Sequence, residues 1–441
     1  MEYMLLFFLP LWLFLLIISN FLKNPFVIFF SFCQFIFIGF GLVFFGYSDK
    51  EYLSYLFPSF DFSGLSDWHF IKASFIVFLG TFVVVALSFP LGMNVKSVRA
   101  NELNYKVDNI RKYLFLFLSL LVVWCCFIFV VDNLLPMFQL LYASSNSDLS
   151  SALDMRVAAT SNYFLILVVY NLAPALALVS LIVYRENKTI INGFVFYTLI
   201  FLVFLCLLLT FQKRPLIVFL GAVIVAFQLS SVNEINISSI SYIHILRGIW
   251  KYILLLLLLL IGLYYFYTAY RFELDNSSML IKLLEVVGSR IFGRLSLPAA
   301  MYVDYFPRID DFYGLSNVGL FSRIFDSELF RDTTRVFLYY STSGLDGSVA
   351  ASVFIDAYGQ GGWLFVLFYS LVVTFILNLL NLLFFKERNG LSKVLLFLFS
   401  CIFIYYLSQA SLFRSMLGYG GIIYFLVWFV SLKRRSILIG S

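Results

Sequence analysis

What limits this chain most is a succession of apolar runs, each about as long as a bilayer is thick. A helix needs about 20 mostly apolar residues to cross the hydrocarbon core. By that criterion about eleven stretches qualify, near residues 3–20, 25–46, 69–92, 113–135, 162–184, 191–211, 215–231, 249–270, 362–385, 394–412 and 417–432. Lipid offers the backbone no hydrogen-bond partner, so each run must close its own bonds as a helix. The expected fold is therefore an all-α polytopic membrane protein with about 11 transmembrane helices. Composition agrees. The chain is 62% hydrophobic and 12% charged, too few polar residues to cover a core of this size in water. Met1 is followed by Glu2 and then directly by an apolar run, without the basic region that a cleavable signal needs.

Lys and Arg in short loops set the orientation. The segment with Lys96, Arg99, Lys106, Arg111 and Lys112 is the most basic and is expected inside. Alternation then puts Lys23, Arg185, Lys188, Arg247, Lys251, Lys386, Arg388, Lys393 and the tail Lys433–Arg434–Arg435 inside as well. The amino terminus falls outside and the carboxyl terminus inside. The net charge of +6 resides in these loops, which speaks for membrane orientation and against nucleic acid. The cysteines Cys33, Cys125, Cys126, Cys206 and Cys401 all lie in apolar runs and read as small hydrophobes.

One hydrophilic segment stands out and divides the chain: residues 1–270 with the first eight spans, a large outer loop at 271–361, and 362–441 with the last three spans and a cytoplasmic tail. The loop carries 11 acidic and 8 basic residues and is too long for a mere connector. From Ser277, apolar residues recur at Leu280, Leu283, Leu284, Val287, Ile291 and Leu295, the spacing of a helix. Lys282, Arg290 and Arg294 share a neighbouring face, so the spacing predicts a short amphipathic helix at the membrane surface.

Several charges oppose the orientation rule, and these are the candidate functional residues. Lys213 and Arg214 stand in a very short outer turn, and cations near lipid on that side are costly unless used. Arg271 ends the eighth run and Arg414 follows the tenth. Arg290 and Arg294 add a basic stripe, which could also be a solvated face. All five arginines are expected near one membrane face. The guanidinium fork matches phosphate oxygens, so an anionic ligand at headgroup level fits them. Asp346 in Gly344–Leu345–Asp346–Gly347 and Asp356 in Phe354–Ile355–Asp356–Ala357–Tyr358 are candidate bases, or else caps of a turn and of the ninth helix.

Absences narrow the chemistry. His69 and His244 both lie outside the large loop, so a base in the loop would be a carboxylate. No His/Cys cluster suggests a transition metal. No D-x-D or Walker motif is present, so neither a metal–nucleotide-sugar site nor ATP is expected, and no cofactor is assigned.

Lys213–Arg214, Tyr270–Arg271, Asp356–Ala357–Tyr358–Gly359–Gln360–Gly361–Gly362 and Arg414, set in this topology, resemble the Wzy-type O-antigen polymerases. The topology carries most of that resemblance. It implies a metal-independent glycosyltransferase of the bacterial inner membrane, acting at the periplasmic face in lipopolysaccharide biosynthesis. A growing glycan on undecaprenyl pyrophosphate would pass to the terminal sugar of a new lipid-linked repeat unit. Partners implied are that lipid-linked oligosaccharide, membrane lipid and a chain-length-regulating membrane protein. Arg214, Arg271, Arg414, Arg290 and Arg294 would hold pyrophosphate, and Asp356 or Asp346 would take the proton. Tyr302, Tyr313, Tyr358 and Trp363 would stack on sugars. The related ligases use a His in the large loop, which this loop lacks. A flippase of lipid-linked oligosaccharide is the main alternative, but it predicts charge at the bilayer midplane.

Overall fold

The computed structural model describes residues 2–22, 24–92, 109–143, 162–210, 213–229, 285, 287–324, 328–342, 347–387 and 390–431. Among them the fold is α-helical, with one isolated β-bridge between Phe60 and Ser341 and no strand. The principal helices are α1 (Met4–Phe21), α2 (Pro25–Gly46), α3 (Asp67–Gly92), α4 (Asn109–Ala143), α5 (Phe164–Arg185) and α6 (Ile190–Leu209). They continue with α7 (Lys213–Leu229), α8 (Arg294–Tyr305), α9 (Asp332–Tyr340), α10 (Val353–Lys386), α11 (Gly390–Gln409) and α12 (Gly421–Ser431). Eight are long and apolar enough to cross a membrane, and Arg214–Leu229 and Gly421–Val430 are shorter apolar helices. The run expected at 249–270 lies outside the described residues. The chain is thus an all-α polytopic membrane protein.

The helices fall into two compact units: residues 1–96, 251–383 and 404–414, and residues 97–250, 384–403 and 415–441.

In the first unit, α2 begins where its sequence predicts. Asn24 Oδ1 accepts from the N–H groups of Phe26 (3.1 Å) and Val27 (3.3 Å), and Pro25 needs no donor partner there. Midway, α2 widens into a π-turn over Phe35–Gly39. That extra residue re-aims the following turn, where Gly41 packs directly on the Phe292 carbonyl. Small residues at such crossings let backbones approach closely. Of the amphipathic helix expected from Ser277, residues 277–284 lie outside the described residues, and its end is helical. Ser289–Gly293 is a π-turn, and every residue of α8 from Leu295 to Tyr305 is buried. The sequence after Arg294, Leu-Ser-Leu-Pro-Ala-Ala-Met-Tyr-Val, is uncharged, and α8 packs between α2 and α3.

The ninth expected helix also starts early. It opens at Val353 and breaks at Gly361–Gly362, where Gly362 has φ 66° and ψ −149°. Only glycine takes up that conformation readily, and a Cβ there would come within 3.3 Å of the Phe312 ring. Gly362→Ala is predicted to destabilise the protein by about 1–3 kcal/mol. The measurement is the thermal unfolding midpoint in lipid nanodiscs. An unchanged midpoint would show that the break does not depend on Gly362.

In the second unit α5 is mostly buried and packs on α4, α6, α7 and α12. By contrast, α6 exposes Ile190, Ile191, Phe194, Tyr197 and Phe201 along one side, an apolar face suited to lipid rather than water. Thr189 Oγ1 caps this helix by accepting from Asn192 N–H at 3.2 Å.

Candidate functional site

The polar residues of the first unit gather around α8 and α9. Residues 332, 336 and 340 fall on one helical face, and Asp332, Val336 and Tyr340 are all buried. Tyr302 and Asp304 on α8 meet that face reciprocally. Tyr302 Oη donates to Asp332 Oδ2 at 2.6 Å, and Tyr340 Oη donates to Asp304 Oδ2. Two carboxylates are thereby taken wholly out of solvent, at a cost that hydrogen bonds and cations must offset.

Each carboxylate also holds an arginine. Arg414 Nη2 lies 2.9 Å from Asp332 Oδ1, with side-chain exposures of 40% and 0%. Arg308 Nη2 lies 2.7 Å from Asp304 Oδ2, with exposures of 54% and 0%. In both pairs the acid is sealed and the guanidinium reaches solvent. Burial and the neighbouring carboxylate push the Tyr302 hydroxyl well above its usual pKa, and burial with the Asp304 hydrogen bond does the same to Tyr340. Both hydroxyls stay protonated and remain donors.

Asp356, on the first turn of α10, is the hub of a second network. Its Oδ1 accepts from Tyr313 Oη and Asn317 Nδ2, each at 3.1 Å, and its Oδ2 accepts from Gln360 Nε2 at 2.8 Å. Tyr369 Oη donates to Gln360 Oε1 at 2.6 Å. Backbone bonds from Tyr313 and Gly314 to the carbonyls of Gly359 and Gln360 fasten the loop to the helix. None of the three arginine ion pairs among the described residues involves Asp356. It lies within electrostatic reach of Asp332 and Arg414.

The structure thus brings together Arg414, Asp356, Tyr302 and Tyr313. Arg214 belongs to the second unit, where it opens α7 with its guanidinium over the Tyr419 ring at 5.2 Å. Arg290 lies in the π-turn before α8, and Arg294 is exposed at the start of α8. Arg271 and Asp346 lie outside the described residues. Asp356 does not cap the ninth helix, because that helix starts at Val353. Tyr302, Tyr313 and Tyr358 are buried: Phe306 lies against Tyr302, and Tyr313 stacks on Phe330. Of the four aromatics expected to meet sugar, Trp363 is the exposed one (39%), set edge-on to Tyr358.

Sequence reasoning singled out Asp304 beside Tyr302 but missed Asp332 and above all His69. That histidine sits outside the large loop in sequence, yet its Nε2 comes within 3.2 Å of Asp304 Oδ1. The approach is close but not in line, so Oδ1 has no hydrogen-bond donor among the described residues. His69 is the third residue of α3, and its Nδ1 accepts from the Ser66 N–H at 3.1 Å, in the manner of a capping box. That bond leaves the ring proton to Nε2. Ser66 three residues before His69 was the available signal for the cap, but nothing in the spacing pointed to Asp304.

Among the described residues no group of three or more His, Cys, Asp or Glu side chains could hold a metal ion. Comparison with family models, curated proteins and solved structures finds no match.

Proposed function

We propose that this protein is a membrane glycosyltransferase that polymerises lipid-linked oligosaccharide repeat units, as its resemblance to Wzy-type polymerases implies. The supporting observation is one arrangement: a half-exposed Arg414, fixed on buried Asp332, within electrostatic reach of Asp356, a buried carboxylate without an ion pair. A fixed guanidinium suits an oxyanion that gains charge as a bond breaks. A nearby carboxylate suits the uptake of a hydroxyl proton.

In this reading the acceptor hydroxyl attacks the anomeric carbon of the growing glycan. The carbon–oxygen bond to undecaprenyl pyrophosphate breaks, its electron pair leaves on the phosphate oxygen beside Arg414, and the proton passes to Asp356. Arg214, Arg271, Arg290 and Arg294 remain proposed phosphate contacts, and Asp346 the alternative base. Trp363, with its exposed ring, is the proposed sugar platform. The site faces the periplasm, with the amino terminus outside and the carboxyl terminus inside.

The test is direct. Purified protein in nanodiscs receives lipid-linked repeat units without ATP or added divalent metal. A ladder of polymer is the expected result. Absence of a ladder, together with movement of the units across a liposome bilayer, would replace this reading with transport.

A further inference from the structure

The site contains the same device twice. Asp332 takes a tyrosine hydroxyl and an arginine Nη2, and so does Asp304. In both, the acid is fully buried and the arginine about half exposed. The proposed reaction uses the first, at Arg414, and leaves the second, at Arg308, without a task. Arg308 is the more exposed of the two, at 54%. Among the described residues Asp304 is its hydrogen-bond partner, and Nε and Nη1 make no hydrogen bond there.

Beside Asp304 stands a neutral imidazole, whose single ring proton is on Nε2. His69 Nε2 lies 3.2 Å from the second carboxylate oxygen. One turn further along α3, Lys72 holds its Nζ over the Tyr358 ring at 4.9 Å. Of the nearby acids, Asp310 is already paired with Arg335 at 2.9 Å. Among the described residues Asp304 therefore serves one arginine, with the neutral His69 ring beside its other oxygen. A guanidinium held by one edge, with its other edge free, offers the paired donors that phosphate oxygens accept.

We propose that Arg308, backed by Asp304 with His69 beside it, forms a second phosphate-anion subsite, distinct from that of Arg414. The proposal rests on the polymerase reading, which supplies the reason for two. Two lipid-linked substrates meet in that reaction and each carries a pyrophosphate, but only one pyrophosphate leaves. The subsite at Arg414 takes the one that departs. The subsite at Arg308 holds the one that stays on the acceptor.

The test measures how many anions the full-length protein binds in nanodiscs of neutral lipid. Inorganic pyrophosphate and farnesyl pyrophosphate are titrated separately by calorimetry. Two sites are expected for the wild type, one for Arg308→Gln and one for Arg414→Gln. A second site seen with both probes marks recognition of the anion itself, and one seen only with the prenyl form marks a lipid-linked head group. Either supports the subsite. A single wild-type site that Arg308→Gln leaves untouched would overturn it. Should Arg308→Gln fail to fold, Arg308→Lys keeps the ion pair but loses the free edge, and about tenfold weaker binding at one site is expected. Wild-type affinity in that variant also overturns the proposal. If ladders form while only one site titrates, the subsite falls and the polymerase stands. If two sites titrate and no ladder forms, the reverse holds.

Discussion

Arg414→Gln is expected to abolish polymer ladders while the protein still inserts in the membrane. The guanidinium is held at 2.9 Å by Asp332, so it is already aimed when substrate arrives. A preorganised donor of this kind contributes about 10²–10³-fold in rate, because it stabilises developing charge without reorganising. The substitution has a second consequence. Asp332 is fully buried, and its remaining partner is the Tyr302 hydroxyl. An uncompensated buried carboxylate is costly. Arg414 is 40% exposed, however, so water screens part of the pair, and a loss of about 1–2 kcal/mol in stability is the expectation. Arg414→Lys separates the two effects. Lysine keeps a charge beside Asp332 but presents a point rather than a fork. Stability near wild type with activity at least about tenfold lower is expected. Ladder length by gel and the unfolding midpoint in nanodiscs measure the two quantities. Wild-type ladders from both variants would refute the assignment of Arg414 to pyrophosphate.

The contrast between what could and could not be read from the chain has a physical origin. A bilayer-spanning helix is a local property: 20 or so apolar residues carry the whole signal. Pro25–Gly46 and Ile190–Leu209 therefore appear nearly where their sequences place them. Arg414 was legible too, because a cation that defies its expected side of the membrane is conspicuous without knowledge of its partner. Its partner was not. Asp332 lies 82 residues away, and Tyr302 lies 30 residues from Asp332. No periodicity relates residues so far apart. The π-turns at Phe35–Gly39 and Arg414–Gly418 were equally hidden, because each inserts a residue into an apolar run without altering its composition. The burial of α8 was hidden too, because the helical spacing read from Ser277 stopped at Leu295.

Asp356 poses the sharpest question in the site, because its geometry serves two roles. Three donors converge on its two oxygens, which is how a buried carboxylate holds a loop in place. It is also the buried acid in this unit, among the described residues, that no cation neutralises, which is what a proton acceptor needs. Substitution separates these roles. Asp356→Ala strands the Tyr313 hydroxyl, the Asn317 amide and the Gln360 amide, and each buried orphan costs about 1–3 kcal/mol. That variant is expected to lose about 3 kcal/mol or more and to report on the fold alone. Asp356→Asn is gentler. Its Oδ1 still accepts from Tyr313 and Asn317. Its new amide meets Gln360, which relieves the clash by exchanging its own oxygen and nitrogen, with the Tyr369 hydroxyl turning to accept. A stability loss below about 2 kcal/mol is expected for this variant. Its polymerisation rate should nonetheless fall by about 10²–10⁴-fold, the contribution of a positioned general base. Binding of prenyl pyrophosphate should be unchanged, since the arginines are intact. A folded Asp356→Asn protein that builds ladders at the wild-type rate would leave Asp356 as a loop anchor and move the search for the proton acceptor to Asp346.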